Sequence, residues 1–203
     1  MPSNYRALKV NTLNIPVGNT KIGFIPNFSL PTPKSCSGAT PFCKKHCYMN
    51  KYKLFRPSVI KSHNDNWNTV QSPFAHLLIP FCQQIKTFRI HVSGDFFSTQ
   101  YIQEWIKIIK ACPQTKFYAY THSWNNPELL PILNKLKALP NMQLFASIDP
   151  NSIPPKKIHS WRKAYIGSRK GAKPCTHDQK KTVCALCGFC WNTTKGSLYF
   201  KQK

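Results

Sequence analysis

The chain has 203 residues, enough for one domain with a sizeable core and a small appendage, and sets 29 Lys and Arg against only 6 Asp and Glu, a formal charge of +23. Hydrophobic and aromatic contents of 41% and 13% exclude a disordered basic tail, and so few carboxylates exclude surface ion-pair networks. Such a charge fits a polyanionic partner, nucleic acid above all.

Met1 to Gly18 reads as irregular or edge structure, and Lys21 to Leu30 as a short strand-like run through Ile22, Phe24 and Ile25. A Pro- and Ser-rich loop carrying Cys36, Cys43 and Cys47 follows, then helical stretches from Arg56 to Ile85 broken by Pro73 and Pro80. Thr87 to Ser93 alternates as a strand. Ser98 or Thr99 caps a helix with an apolar stripe at Ile102, Trp105, Ile106, Ile108 and Ile109, ended by Pro113. Lys116 to Thr121 is a second strand. Asn126 is expected to cap a helix that has Pro127 at its first position, and Met142 to Ile148 is a third strand. Pro154 to Lys163 reads as helical and Ala164 to Gly167 as a short strand.

Strands alternating with helices of these lengths indicate βαβ units and a parallel sheet. The expected class is α/β, a partial (β/α) barrel or an open parallel sheet, since a complete eightfold barrel needs about 250 residues. Residues 1–167 are assigned to this core. Residues 168–203, rich in Lys, Gly, Thr and Cys, are expected to form a small basic appendage held by a metal.

No charged leader followed by an apolar run opens the sequence, and no run approaches bilayer length. A cytoplasmic protein without membrane contact is expected, and there nine cysteines favour metal ligation over disulfides. Cys36, Cys43 and Cys47 are spaced C-x6-C-x3-C in one loop. Three thiolates on one metal centre leave a coordination position open, as reactive centres require. Cys175, Cys184, Cys187 and Cys190, spaced C-x8-C-x2-C-x2-C with Gly188 for tight turning, form a closed ligand set. Iron–sulfur and zinc both suit either group, and His46 could complete a zinc site. Cys82 and Cys112 read as core cysteines.

Ser93, Gly94 and Asp95 close the first core strand, at the edge where ligands bind in parallel α/β proteins. They are candidates for cofactor binding. Two neighbouring strands end at His122 and Asp149, so Asp95, His122 and Asp149 can ring one mouth as catalytic candidates. Lys156, Lys157, Arg162, Lys163, Arg169 and Lys170 form a local basic cluster, with Trp161, Tyr165 and Trp191 nearby. They are candidates for phosphate contact and base stacking without sequence readout.

A strand, a three-cysteine loop, a helical region and a strand ending in Ser-Gly-Asp resemble the front half of a radical S-adenosylmethionine barrel. That resemblance, which spans about Lys21 to Ser168, implies a [4Fe–4S] cluster on Cys36, Cys43 and Cys47, with S-adenosylmethionine received near Asp95. The usual loop is C-x3-C-x2-C with an aromatic before the last cysteine; here the spacing is wider, Tyr48 follows Cys47, and Asp stands for Glu in the strand-end motif. More closely, Cys36 to Tyr48, the stretch from Arg89 to Phe96, Tyr118 to Ser123, and Cys187 to Trp191 resemble the phage "gene product 88" family over nearly the whole chain. Two functions follow: an atypical radical S-adenosylmethionine-like enzyme on nucleic acid or a nucleotide, with one or two clusters, or a non-catalytic nucleic-acid-binding protein with structural iron–sulfur or zinc sites.

Overall fold

The computed structural model describes residues 7–50 and 56–201. The chain opens on an antiparallel sheet of β1 (Ala7–Val10), β2 (Leu13–Asn19) and β3 (Gly23–Pro26), in that order. Of the irregular or edge structure expected over Met1 to Gly18, β1 is an edge strand and β2 an inner one, and residues 1–6 lie outside the described ones. Leu13 and Ile15 alternate into the core, and Asn11 takes the left-handed conformation (φ 55°) that its short polar side chain tolerates in the β1–β2 turn. Gly18 permits the register shift between β2 and β3: its φ is 91°, and a Cβ would sit 1.7 Å from the Gly23 carbonyl oxygen.

The main sheet has six parallel strands in the order β4 (Thr87–Ile90), β5 (Lys116–Thr121), β6 (Met142–Ile148), β7 (Arg162–Ile166), β9 (Ser197–Phe200) and β8 (Ala172–Pro174). Residues 27–30 extend the chain beyond β3 along the free edge of β4. Phe28 N donates to Arg89 O at 3.1 Å, Val92 N to Phe28 O at 3.0 Å and Leu30 N to Ser93 O at 2.9 Å. Among the described residues no strand pairing joins the two outer edges, so the sheet is open.

Side chains alternate across the sheet. Phe88, Ile90, Phe117, Ala119, Met142, Leu144 and Ala146 enter one core with helices α3 (Ala75–Cys82), α4 (Thr99–Ala111) and α5 (Leu130–Lys137). Tyr118 and Tyr120 of β5, Phe145 of β6, Ala164 of β7 and Leu198 of β9 belong to the opposite face. Among the described residues no long helix covers that face. It packs instead on Cys184, Phe189, Cys190 and Trp191, so the segment expected as an appendage supplies two strands to the sheet and a cover for one side of it.

Helix α4 follows the sequence expectation closely. Ser98 Oγ accepts from Tyr101 N at 3.1 Å, Ile102, Trp105, Ile108 and Ile109 are buried, and Cys112 ends the helix before Pro113. Cys82 and Cys112 are core residues, as expected. Helix α2 (Pro57–Thr69) and α3 meet the break expected at Pro73, while Pro80 is accommodated inside α3. Two expectations change. The helix placed at Pro127 begins at Leu130, because Asn126 holds a turn in which its side chain accepts from Glu128 N. The helix expected over Pro154 to Lys163 is only a 3-10 turn, Lys156–Ile158, and Arg162 already belongs to β7.

Glu104 of α4 is a buried carboxylate that receives the first two amides of the α3 region, Phe74 N at 2.8 Å and Ala75 N at 2.9 Å, and pairs with Lys107 at 2.6 Å. Burial alone would raise its pKa; the Lys107 ammonium and the two amides outweigh that and hold the carboxyl below its usual value. A depressed folded-state pKa gives stability that is present above the unfolded value, near 4.3, and is lost as pH falls through the folded one. Glu104→Gln is therefore expected to lower Tm at neutral pH and to flatten the fall of Tm on acidification below about pH 4.3, measured by thermal unfolding across a pH series.

Candidate active site at the strand ends

Residues 27–30 deliver the chain to the carboxyl edge of the sheet, where the cysteine loop folds back over the strand ends. Its first turn is pinned by Ser35 N to Pro31 O at 3.1 Å and Cys36 N to Pro33 O at 2.9 Å. Helix α1 (Pro41–Lys45) carries Cys43 and is capped by Thr40, whose Oγ1 accepts from Cys43 N at 3.0 Å and whose hydroxyl donates to Asp149 Oδ2 at 2.5 Å. Ser37 Oγ donates to Phe96 O at 2.9 Å. Gly38 presses so closely on β5 that a Cβ would lie 2.0 Å from His122 O.

Loop and strand ends enclose a cavity of about 320 Å³. Cys36, Cys43 and Cys47 line it together with Ser93, Gly94, Asp95, His122 and Asp149, so all the residues expected at the mouth from the sequence meet there. His46 also lines it, exposed and stacked on Phe42 at 4.4 Å. Burial pushes the Cys36 thiol up to about 12, helped by Asp95, Cys43 and Cys47, and the Cys43 thiol up to about 11, helped by Cys47, Asp95 and Asp149. Cys36 and Cys43 therefore resist ionising unless a cation joins them.

The strand-end residues have distinct duties. Gly94 has φ 80°, and a Cβ would meet Ser35 Oγ at 2.5 Å and Leu30 Cβ at 2.6 Å, so the base of the cysteine loop requires glycine here. Ser93 Oγ donates to Leu30 O at 3.0 Å. Asp95 Oδ1 accepts from Thr121 Oγ1 at 2.6 Å and Phe96 N at 2.8 Å, and Oδ2 from His122 N at 2.7 Å. Its burial raises the pKa against those donors. The carboxylate ties β4 to β5 and keeps one acceptor position on Oδ2. His122 Nε2 lies 3.2 Å from Asp149 Oδ2 without hydrogen-bond alignment, while Asp149 Oδ1 accepts from Asn151 N and Ser152 Oγ.

Cys175, Cys184, Cys187 and Cys190 line a second, much smaller cavity of about 20 Å³ on the covered face of the sheet. Helix α7 (Cys184–Cys187) docks on the β2–β3 connection through Cys184 N to Lys21 O at 2.9 Å and Ala185 N to Ile22 O at 3.2 Å. Gly188 (φ 65°) turns the chain into α8 (Phe189–Asn192). Thr176 Oγ1 donates to Cys187 Sγ at 2.9 Å, and the Tyr120 hydroxyl to Cys190 Sγ at 2.7 Å. Burial pushes the Cys190 thiol up to about 11 and raises that of Cys184. His177, absent from the sequence-derived ligand set, also lines this cavity, with Nδ1 buried and unpartnered. Among the described residues neither cysteine group forms a compact set of three or more ligands around one metal ion.

The basic candidates divide. Lys156, Lys157, Arg169 and Lys170 are exposed. Arg162 turns inward: its guanidinium donates to Gly196 O, Gln143 Oε1, Thr193 O and Oγ1 and Phe189 O, and lies 4.1 Å from the Phe145 ring. It is corrected from phosphate contact to a clamp between β7 and the C-terminal segment. Lys163 is half-buried, its Nζ donating to His159 O at 2.8 Å and Trp161 O at 3.0 Å. Trp161 is a core residue bonded to Asn134, and Trp191 packs on Tyr118 at 5.1 Å, so neither is free to stack on a base. Among the described residues no helix is long and apolar enough to cross a membrane.

Fold and site together define an α/β protein with a thiol-lined cavity at the carboxyl edge of an open parallel sheet. The Gene product 88 family profile matches residues 4–167, and the chain belongs to that family. It is 28% identical to the Gene 88 protein of Mycobacterium phage L5 and 26% to that of Mycobacterium phage D29, covering 92% of this chain and 91% of each relative. No solved structure matches it.

Gly38 gives the test of how the loop seats. Gly38→Ala is expected to cost about 1–3 kcal/mol through a backbone clash and to lift the cysteine loop from His122. Thermal unfolding and faster labelling of Cys36 and Cys43 by a thiol reagent in the folded protein would read the two effects.

Proposed function

We propose that this protein is a phage or mobile-element iron–sulfur enzyme, built like an abbreviated radical S-adenosylmethionine barrel and acting on a nucleic acid or nucleotide in the host cytoplasm. One observation carries the reading: Cys36, Cys43 and Cys47 share a single cavity with Ser93, Gly94, Asp95, His122 and Asp149. In this reading the three cysteines hold a [4Fe–4S] cluster, which supplies one-electron chemistry and an open coordination position. The donor set suits it, because thiolates are soft ligands. A single zinc ion with bonds of about 2.3 Å would gather its sulfurs to roughly 4 Å of one another; a cluster binds each thiolate through a different iron and accepts a wider spread.

The chain's own groups then have definite tasks. Asp95 Oδ2, with its remaining acceptor position, receives the ligand's ammonium. His122, with Nε2 turned 3.2 Å from Asp149 Oδ2, accepts or returns a proton at its other ring nitrogen, Nδ1. Tyr48, Met49 and Val92 wall the cavity. Cys175, Cys184, Cys187 and Cys190 hold a second centre, a further [4Fe–4S] cluster or zinc. A structural, non-catalytic reading has its own support, since Asp95 already takes three donors from the protein.

Anaerobically purified protein is expected to contain iron and sulfide. Cys187→Ser should remove the second centre's metal and leave the first centre loaded. Added S-adenosylmethionine should perturb the electron paramagnetic resonance signal of the reduced protein, and Asp95→Ala should blunt the response. Iron and sulfide without any spectral response, even at high ligand concentration, would leave the non-catalytic reading in place.

Nucleic-acid binding through the exposed lysines and arginines is supported by the overall charge of +23. Contact with about five phosphates predicts a log–log salt slope near −3.5 to −4.5. Charge reversal at Lys156, Lys157, Arg169 and Lys170 should weaken binding to every sequence alike, whereas Arg162→Gln should chiefly lower Tm. Electrophoretic or anisotropy titrations across a salt series measure both the slope and the sequence independence.

A further inference from the structure

Arg89 stands on β4 between Phe88 and Ile90, which enter the helix-side core, so its own side chain goes to the opposite face. There its guanidinium lies 5.9 Å from the ring centre of Tyr118 and 5.3 Å from that of Tyr120, and Nε donates to His91 O at 3.3 Å. Arg89 is half-buried, and a guanidinium drawn out of water cannot shed its proton and is costly without a counter-charge.

No carboxylate among the described residues forms an ion pair with Arg89. The six acids of the chain are engaged or placed elsewhere. Asp65 pairs with Lys61, Glu104 with Lys107 and Asp178 with Lys21; Asp95 and Asp149 serve the strand ends, and Glu128 is exposed. Of the ionisable groups, Tyr118 and Tyr120 lie against Arg89, and Tyr48, His91, Cys184 and Cys190 are within its electrostatic reach. Tyrosine faces help only partly. Lys21, the other cation acting on Cys184, already has Asp178 as its partner.

Four thiolates around zinc, or around an oxidised [4Fe–4S] core, leave the centre doubly negative. We infer that Arg89 is the fixed counter-cation of such an anionic metal–thiolate centre at Cys175, Cys184, Cys187 and Cys190. The inference rests on the reading that these cysteines hold a metal, and it applies to zinc and to iron–sulfur alike. Tyr120 belongs to the same arrangement: its ring faces Arg89 while its hydroxyl donates to Cys190 Sγ. Arg89 is thus a positioning residue that makes the pocket electrically ready for the centre.

The test uses the full chain, wild type, Arg89→Met and Arg89→Lys, with Cys36, Cys43 and Cys47 replaced by Ser so that all metal counted belongs to the C-terminal centre. Arg89→Met should release metal to excess chelator about tenfold faster than its parent, and Arg89→Lys should stay close to it. Thermal unfolding adds a readout that lost packing would not give. Arg89→Met should lower Tm of the loaded protein but raise or preserve Tm of the metal-free protein, where the arginine charge is uncompensated. Unchanged release from folded Arg89→Met, or an equal drop in Tm in both forms, would overturn the inference. Should Arg89→Met fail to fold, Arg89→Gln and Arg89→Lys are compared; faster release from Gln supports it and equal release overturns it. A metal-free parent would instead remove the metal reading itself.

Discussion

A parallel sheet has to be covered on both faces, and among the described residues only one face has helices of eight residues or more to cover it. The alternation of side chains along β4, β5 and β6 divides the chain's chemistry accordingly. Phe88, Ile90, Phe117, Ala119, Leu144 and Ala146 meet α3, α4 and α5, whereas Arg89, Tyr118, Tyr120 and Phe145 face the cysteine-rich segment. That segment has three helices of four or five residues, α6 (Thr176–Lys180), α7 and α8, and little apolar mass. Such a cover is poorly served by hydrophobic burial, and four clustered cysteines are the means in its sequence for cross-linking it through a metal.

The same need shapes the carboxyl edge. Asp95 binds β4 to β5, Thr40 binds the cysteine loop to Asp149 at the end of β6, and Ser37 binds it to Phe96. The cavity is therefore a product of strand-end hydrogen bonding before any ligand enters. An Asp that would read as a ligand receiver from its place in a strand-end motif is also the clasp that aligns the mouth, and the two duties compete for its lone pairs.

Much of the helix-side architecture was legible because its signals are local and periodic. Ser98, the stripe from Ile102 to Ile109 and Pro113 delimit α4, and the alternation of Phe88, Ile90 and Val92 against Arg89 and His91 marks β4. The opening hairpin was not legible: β1 is four residues long, and β2 carries Pro16 and Gly18 where a strand reader expects a break. The stretch from Pro154 lacks a helix because a single buried anchor, Ile158, suffices to carry the chain to β7. For the site, cysteine spacing and strand ends pointed to the cavity residues. Arg162 looked like surface charge because composition cannot distinguish a solvated guanidinium from one spent on carbonyl oxygens, and His177 carried no spacing signal.

The position of β9 has a consequence for biosynthesis. It lies between β7 and β8 although it follows both of them in the chain. When β8 leaves the ribosome it has no neighbour to pair with, and β7 presents a bare edge until Ser197–Phe200 arrives. From the completion of β5 until residues 184–200 have been made, the nascent chain must therefore hold an unfinished sheet with its tyrosine-lined face uncovered. Exposed strand edges of this kind invite pairing between chains, which makes slow synthesis or early termination a greater hazard here than in a sheet assembled in the order it is made.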